Sequence, residues 1–266
     1  MSRKFVIRAI ALGMLYVAIA SYILQNEETF FFKYYPLEEK ASYSFEEPYH
    51  ELNIQVNEDV DLHAIWFTQV EPKGVLLFFP PGDFNMETYH VKQDYFYQKG
   101  FAVVIPDYRG TGKSTDTYYQ EDDLYQDAEQ WYKLAKSLSD SSLLVVSGQN
   151  FGSGLAAYIS AQQAVDLTLL HNPYYSWNEI MLQNYFWWLP HTMFTKFKIP
   201  QWEFIRKSEN KILMIHSEDE RFIKIKNSER LLEYLKPGDE FIILKGGEPA
   251  IQSEAFQKSM RKIGYQ

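Results

Sequence analysis

Apolar runs separated by segments of helical spacing organise the central part of the chain. Val75–Phe79, Phe101–Ile105 and Leu143–Val146 are continuous apolar runs, which is typical of strands buried on both faces of a parallel sheet. Asp122–Leu138 lies between the last two runs and repeats its apolar residues at the spacing of an amphipathic helix. Strands that alternate with helices predict an α/β fold with a mainly parallel, doubly wound sheet. The alternation continues with predicted strands at Leu167–Leu170, Lys211–Ile215 and Phe241–Leu244, and with predicted helices at Met86–Lys99, Ser153–Ile159, Ser228–Leu235 and Ala250–Ile263.

An antiparallel pair of strands is predicted at the start of this sheet. Leu52, Ile54 and Val56 alternate with polar residues, which indicates a strand with one buried face. A polar turn at Asn57–Asp59 and a second extended stretch at Val60–Val70 follow directly, which is the pattern of a β-hairpin. The expected sheet is therefore parallel apart from its first strands.

The N-terminus carries the features of a membrane anchor. Ala9–Leu24 is an apolar stretch that reaches spanning length when it is extended back to Phe5, with the Arg8 side chain reaching the membrane surface. Arg3 and Lys4 precede the stretch. Because positive residues stay on the cytoplasmic side, the sequence predicts a single membrane span with the body outside the cytoplasm, in the periplasm or the extracellular space.

A cleavable signal peptide is the alternative interpretation of the same residues. Ala18-Ile19-Ala20 has the small-residue pattern of a cleavage site, and cleavage there would give a secreted protein. The apolar run continues through Tyr22–Leu24, which favours an uncleaved anchor. We therefore divide the chain into an anchor or signal peptide at residues 1–24, a juxtamembrane lead-in at 25–50 and one domain at 51–266.

Aromatic residues are concentrated in two segments outside the alternating pattern. The lead-in contains Phe30–Phe32 and is expected to pack on the domain or on the bilayer surface. Between residues 174 and 208 the alternation breaks, which predicts a small helical insertion that caps the carboxyl edge of the sheet. Its aromatic side chains form either part of the core or a lid over a small-molecule or lipid ligand. They are Trp177, Tyr185, Phe186, Trp187, Trp188, Phe194, Phe197 and Trp202.

Composition narrows the classes of function. The hydrophobic fraction of 46% and the charged fraction of 23% are those of a globular domain. The formal net charge of −9 argues against nucleic acid as a partner. The chain has no cysteine, which excludes disulfides, a thiolate nucleophile and cysteine-ligated zinc.

The residues that carry candidate chemistry lie in the predicted strand, turn and helix of Leu143–Ala157. Gly148 and Gly152 flank Asn150, and glycines at these positions allow a sharp turn in which strand and helix nearly touch. Strand, turn and helix in this order are the setting of the G-x-S-x-G nucleophile elbow, here with asparagine in place of the central serine. The alternative interpretation is an ordinary glycine-rich turn.

Four stretches in order resemble one family. They are the loop after Val75–Phe79, the sequence DYRGTGKS at 107–114, the elbow around Asn150, and the turn within Ile215–Phe222. Together they resemble the membrane-anchored α/β-hydrolases that are often grouped with serine aminopeptidase-like hydrolases, over roughly Tyr35 to the C-terminus. The resemblance implies the α/β-hydrolase fold, with a catalytic serine, an acid and a histidine in that order along the chain.

Two of the three catalytic positions that the resemblance implies carry residues unsuited to the chemistry. Asn150 lies at the nucleophile position, Asp219 at the acid position and Glu248 at the histidine position. An amide nitrogen is a poor nucleophile because its lone pair is delocalised, and no histidine follows Asp219 in the sequence. Without the resemblance, the segment around Asp219 would be interpreted as a solvated acidic turn. The histidines are His50, His63, His90, His171, His191 and His216.

The loop that would donate hydrogen bonds to an oxyanion is altered too. Pro80 and Pro81 have no N–H groups. The remaining candidate donors are Gly82, Asp83 and Phe151, the residue that follows Asn150.

A glutamate at position 248 is expected to lie close to Asp219. Two carboxylates in a partly dry cleft are expected to share a proton. The alternative is a Ca²⁺ or Mg²⁺ ion held by these two residues with Asn150 and Asp83, because all-oxygen sites suit these ions. We predict the shared proton, and no resident metal or cofactor.

These substitutions predict a catalytically inactive pseudo-hydrolase, tethered to the membrane, with a binding or scaffolding role. One alternative is an active hydrolase of esters, thioesters or peptides with a non-standard site, although Ser114, Ser147 and Ser153 have no predicted histidine partner. The other alternative is a structural component of a membrane complex, in which the aromatic insertion contacts a protein partner.

Overall fold

A computed structural model of the protein describes residues 2–32, 34–38, 40–82, 94–139, 142–190, 196–245 and 254–262. The strands in this part of the chain are β1 (Tyr35–Pro36), β2 (Tyr49–Gln55), β3 (Asp61–Phe67), β4 (Gly74–Phe79), β5 (Phe101–Pro106), β6 (Thr111–Gly112), β7 (Leu143–Gln149), β8 (Leu167–His171), β9 (Ile212–Ser217) and β10 (Glu240–Leu244). Eight of them form one sheet in the order β10-β9-β8-β7-β4-β5-β3-β2, and β1 pairs separately with β6.

The sheet is parallel except at β3. This strand pairs antiparallel with β2 on one side and with β5 on the other. All the remaining neighbours in the sheet are parallel. The prediction of a mainly parallel sheet with an antiparallel start is therefore confirmed.

Helices lie on both faces of the sheet and at its ends. They are α1 (Arg3–Gln25), α2 (Glu27–Phe31), α3 (Asp94–Gln98), α4 (Glu121–Ser139), α5 (Phe151–Gln162), α6 (Trp177–Asn184), α7 (Gln201–Lys207), α8 (Lys226–Leu231), which continues as a 3₁₀ turn at Leu232–Tyr234, and α9 (Glu254–Lys262).

The side chains of β4 show why the central strands are apolar throughout. Val75, Leu77 and Phe79 pack in the core cluster that contains α4 and α5. Leu76 and Phe78 point the other way and pack with buried residues of α3 and α9. Since successive side chains of a strand alternate between faces, a strand covered by helices on both sides has no polar face.

The N-terminal segment runs from a long exposed helix onto the body. Within the described residues, α1 is the one helix that is long and apolar enough to cross a membrane. Most of its side chains are exposed, but Ala20 and Ile23 are buried. Phe31 in α2 is also buried, and Tyr35–Pro36 pairs with the loop at residues 111–112. The lead-in therefore packs on the domain, one of the two expected positions.

The predicted insertion contains α6 and α7, and its aromatic residues divide between two environments. Trp177, Phe186 and Phe197 are buried, whereas Tyr185 and Trp187 are exposed. Phe194 lies outside the described residues. The segment thus contributes both core and surface aromatic side chains.

Several predicted boundaries were wrong by a few residues. Helix α5 begins at Phe151 rather than at Ser153, because the turn ends immediately after Asn150. Only residues 254–262 of the predicted closing helix, and only the C-terminal part of the helix predicted from Met86, fall within the described residues.

Candidate functional site

The turn between β7 and α5 has the backbone geometry of a nucleophile elbow. Asn150 has a φ of 49° and a ψ of −116°, a strained conformation for a residue other than glycine. A Cβ on Gly148 would lie 2.1 Å from the carbonyl oxygen of Gly152, and one on Gly152 would lie 2.2 Å from the carbonyl oxygen of Phe79. Both glycines are therefore required by contact between backbones. Asn150 occupies the half-buried apex at which the elbow would present a serine.

The orientation of the Asn150 amide is fixed by a chain of hydrogen bonds. The backbone N–H of Ser217 donates to Oδ1 of Asn172 over 3.0 Å, so the other end of the Asn172 amide must be its nitrogen. That nitrogen donates to Oδ1 of Asn150 over 3.1 Å and to Oε2 of Glu220 over 3.3 Å. The Asn150 amide oxygen is thus occupied, and its NH₂ group faces away from Asn172.

The acidic turn after β9 points Glu220 toward the elbow. Glu220 is half-buried, and its Oε1 accepts a hydrogen bond from the backbone N–H of Phe222 over 2.8 Å. Asp219, the residue at the acid position of the resemblance, is exposed on the same turn. The assignment of Asp219 as the acid stays a prediction. The structure adds Glu220, one residue further on, as the carboxylate connected to Asn150 through Asn172.

Sequence reasoning missed Asn172 and offered few signals for it. Asn172 follows β8 and has a φ of 47°, a conformation that asparagine adopts more readily than most residues. An asparagine at the carboxyl end of a central strand was the available signal, because neighbouring parallel strands end at the same edge of the sheet.

Two predicted site residues, Asp83 and Glu248, lie outside the described residues, so the shared proton stays a prediction. Within the described part of the chain, no group of three or more histidine, aspartate or glutamate side chains is placed to hold a metal ion. The two other predicted donors, Gly82 and Phe151, line the same cavity as Asn150.

A cavity of about 720 Å³ lies at the elbow, and most of its wall is aromatic. The lead-in supplies one side through α2, the insertion supplies another through α6, and the elbow supplies the end that carries Asn150. The residues lining it are Thr29, Phe30, Phe31, Phe32, Pro81, Gly82, Tyr108, Arg109, Thr111, Tyr118, Asn150, Phe151, Trp177, Met181, Tyr185, Phe186 and Phe222.

The one charged residue among these lining residues is already paired. Arg109 donates from Nε and from one terminal nitrogen to the two oxygens of Asp127, over 2.8 and 2.7 Å. Both side chains are buried. Burial raises the pKa of the Asp127 carboxyl, and the Arg109 guanidinium opposes that shift. The described residues of the cavity wall therefore offer aromatic surface and neutral hydrogen-bonding groups rather than a free charge.

A second buried network braces the DYRGTGKS loop beside the cavity. His63 lies between two carboxylates, with Nδ1 2.8 Å from Asp107 and Nε2 3.0 Å from Glu51. Lys113 donates to Glu51 over 2.7 Å. Burial raises the pKa of the Asp107 carboxyl, and the hydrogen bond with His63 acts in the opposite direction. This network ties the loop to β2 and β3.

The serine in the first turn of α5 is held in the interior. The Ser153 side chain is fully buried, and its hydroxyl lies 2.6 Å from the carbonyl oxygen of Asn150, to which it donates. This hydrogen bond stabilises the first turn of α5.

Comparisons with known proteins agree with this geometry. No curated protein matches the sequence at a significant level. Among solved structures, the esterase Pf2001 of Pyrococcus furiosus has a TM-score of 0.66 at 15% identity, covering 86% of this chain and 95% of its own. Acetyl xylan esterase 1 from Thermoanaerobacterium has a TM-score of 0.64 at 15% identity, covering 85% of each chain. A thioesterase domain from the curacin biosynthetic pathway has a TM-score of 0.57 at 11% identity, covering 82% of this chain and 99% of that domain.

These likenesses confirm the α/β-hydrolase fold. The model of the family described as "Serine aminopeptidase, S33" matches residues 70–232, which is more than half of the chain and includes the elbow, the DYRGTGKS loop and the acidic turn. The chain therefore belongs to the serine aminopeptidase S33 family of α/β-hydrolases.

Proposed function

We propose that this protein is a membrane-tethered, non-hydrolytic member of its family that binds an apolar ligand in the cavity at the elbow. One observation carries the proposal. Asn150, which we assign to the nucleophile position, has its amide oxygen occupied by Asn172, and this leaves its NH₂ group as a donor at the polar end of an aromatic cavity.

The groups that acyl transfer requires are missing at position 150. It needs a nucleophile and a base that takes the nucleophile's proton. The amide of Asn150 is not such a nucleophile, and no histidine follows the acidic turn in the sequence. Ser153 is buried against the backbone of Asn150. An activated serine would have to come from elsewhere in the chain.

The shape and polarity of the cavity support a ligand with an apolar chain and an oxygen acceptor. The aromatic residues of α2 and α6 give the walls apolar surface, and Arg109 is neutralised by Asp127. The first N–H groups of a helix have no acceptor within that helix, so Phe151 at the start of α5 adds a donor beside Asn150. A carbonyl or carboxylate oxygen suits these donors, and an acyl chain suits the walls.

Helix α1 is the proposed membrane tether. Its length and hydropathy suit a membrane span, and most of its surface is exposed. The basic residues at its start favour an orientation with the body outside the cytoplasm.

A fluorophosphonate probe tests the absence of hydrolysis, because it labels only activated serines. We expect no labelling of the detergent-purified protein and no turnover of short p-nitrophenyl esters. Labelling that disappears in Ser153→Ala or in another single serine variant would contradict the proposal and support the active alternative.

Ligand binding is tested by titrating the purified protein with a long-chain fatty acid and following tryptophan fluorescence, since Trp177 lines the cavity. Asn150→Asp keeps the shape of the side chain but replaces the donor with a negative acceptor, and a lost hydrogen bond to a charged group costs about 1.5–3 kcal/mol. We therefore expect binding to weaken at least about tenfold. Asn53→Asp makes the same substitution at an exposed position of β2, away from the cavity, and is expected to bind like the unmodified protein. Equal affinities for all three proteins would contradict the assigned site.

A further inference from the structure

The tip of the insertion, residues 180–190, combines exposed aromatic side chains with an absence of charge. Its sequence, IMLQNYFWWLP, contains no Asp, Glu, Lys or Arg. The exposed fractions are 78% for Trp187, 50% for Tyr185 and 36% for Trp188. A contiguous apolar surface of this kind marks an interaction site rather than a solvated surface.

The tip lies against α1. The Tyr16 hydroxyl donates to the carbonyl oxygen of Trp188 over 3.5 Å, and the two rings meet edge to face with centroids 5.7 Å apart. Ala20 and Ile23, which are buried against the body, follow Tyr16 at the spacing of one helix face. The C-terminal turns of α1 therefore pack on the body, while the turns before Tyr16 are exposed.

The length of the exposed part of α1 places the tip relative to a bilayer. Arg3–Leu15 extends about 20 Å at 1.5 Å per residue, whereas the hydrocarbon core of a bilayer is about 30 Å thick. The helix can cross the bilayer only if the turns that contact the body also lie inside it. The surface of the body that touches these turns must then lie at the same depth.

We infer that the tip of the insertion enters the outer leaflet of the bilayer that α1 spans, so that lipid contacts the body directly as well as the anchor. The inference rests on the tether in the proposed function. Tryptophan and tyrosine are the side chains that favour the boundary between bilayer and water. An uncharged tip can enter that boundary without burying an unpaired charge.

The first charged residue after the tip lies where a water boundary is expected. Charge resumes at Lys196, whose ammonium group contacts Glu28 over 2.9 Å and the carbonyl oxygen of Gln25 over 2.8 Å. Gln25 is the last residue of α1. The first charge after the tip thus lies level with the end of the membrane helix.

Insertion of the tip also places the rim of the cavity next to the lipid. Tyr185 lines the cavity and is half exposed, and Phe30 lines it from α2 and is partly exposed. Phe30 contacts Phe186 of the insertion edge to face, with centroids 5.7 Å apart. An apolar ligand can therefore pass between the cavity rim and the leaflet without crossing water.

Site-directed spin labelling tests the inference, and the absence of cysteine makes single labels straightforward. Nitroxides are placed at Trp187→Cys, at Leu12→Cys in α1 and at Val70→Cys, which is 94% exposed on a turn of the body. The full-length chain is reconstituted in phosphatidylcholine nanodiscs. Accessibility to oxygen, which concentrates in lipid, is compared with accessibility to a water-soluble nickel complex. We expect the labels at 187 and 12 to favour oxygen and the label at 70 to favour nickel.

The other outcomes separate the inference from the tether. A nickel-accessible label at 187 with an oxygen-accessible label at 12 would overturn the inserted tip and leave the tether standing. A label at 187 that is shielded from both reagents would overturn it in favour of a protein contact at the tip. A nickel-accessible label at 12 would overturn the tether itself, and the inference with it.

Discussion

Backbone conformation and side-chain chemistry are set by different neighbours at position 150. The close contacts of Gly148 and Gly152 hold the turn in which φ is 49°, whereas Asn172 decides which end of the Asn150 amide faces the cavity. The glycine contacts do not depend on which residue lies at the apex. The hydrogen bond from Asn172 exists only because the residue at the apex carries an amide oxygen. An elbow can therefore keep its shape while a single side chain changes what it offers to a ligand.

His216 makes the stability of this region depend on pH. It is fully buried at the end of β9, with Nε2 2.9 Å from the carbonyl oxygen of Ile223, and burial lowers its pKa. Below the ordinary histidine pKa of about 6.5 the unfolded chain takes up a proton that the folded chain resists. Stability is therefore lost as the pH falls through this range. We expect His216→Gln to lose less stability than the unmodified protein between about pH 7 and pH 5.

Urea unfolding at both pH values measures this difference. The exposed His50, changed to glutamine, is the matched control and is expected to behave like the unmodified protein. Identical pH dependence in all three proteins would contradict the role of His216.

Helix α2 is stabilised by its contacts with the body of the protein. Five residues are too few for a helix to be stable alone, so its position depends on the body. The backbone N–H of Lys196 donates to the buried Glu27 over 3.0 Å, and the ring of Phe31 lies 6.0 Å from that of Phe197. These contacts hold a short segment after α1 in place as a wall of the cavity.

Replacing Phe31 with alanine is expected to remove much of that wall. Deleting a buried phenylalanine ring costs about 3–5 kcal/mol, and the Phe31 side chain is only 6% exposed. We expect urea unfolding of the detergent-purified protein, followed by near-ultraviolet circular dichroism, to show a loss of about 3 kcal/mol.

Phe30→Ala is the neighbouring control, because the Phe30 ring is 37% exposed; its expected cost is about 1 kcal/mol or less. Equal losses in the two variants would argue against the distinct burial of the two rings.

How far the sequence predicted these elements depended on the range of the interactions that form them. Strands such as β4 and β7 followed from local apolar runs, and the elbow followed from two glycines at fixed spacing. The role of α2 was not predictable, because Phe30–Phe32 has no periodicity and because Lys196, which bonds Glu27 and Glu28 of this helix, is far away in sequence. The connection of Glu220 to the elbow was not predictable either, because it runs through Asn172, which follows another strand.

At the scale of the whole molecule, α1, the lead-in and the insertion are joined by ring contacts. Tyr16 contacts Trp188, Tyr22 contacts Phe30, and Phe30 contacts Phe186 through ring pairs. The hydrolase-like body is therefore attached to α1 by side-chain packing as well as by the chain itself.

Membrane topology gives a prediction at this scale. Cysteines introduced singly at Ser2 and at Val70 lie on opposite sides of α1 in sequence, and the chain has no others. With the basic start of α1 in the cytoplasm, a membrane-impermeant maleimide should label position 70 in intact spheroplasts and position 2 only after permeabilisation. Labelling of position 2 alone in intact spheroplasts would show the opposite orientation.

The direct continuation of α1 into α2 has a mechanical consequence. A helix of 23 residues is about 35 Å long, and its tilt in a bilayer follows the thickness of the hydrocarbon layer. Asn26 alone separates α1 from α2, so a change of tilt is transmitted over a very short linkage to Phe30 and Phe31 in the cavity wall. If α1 spans the bilayer as proposed above, a change of its tilt would move the cavity wall directly. Membrane thickness would then become one of the variables that set the shape of the cavity.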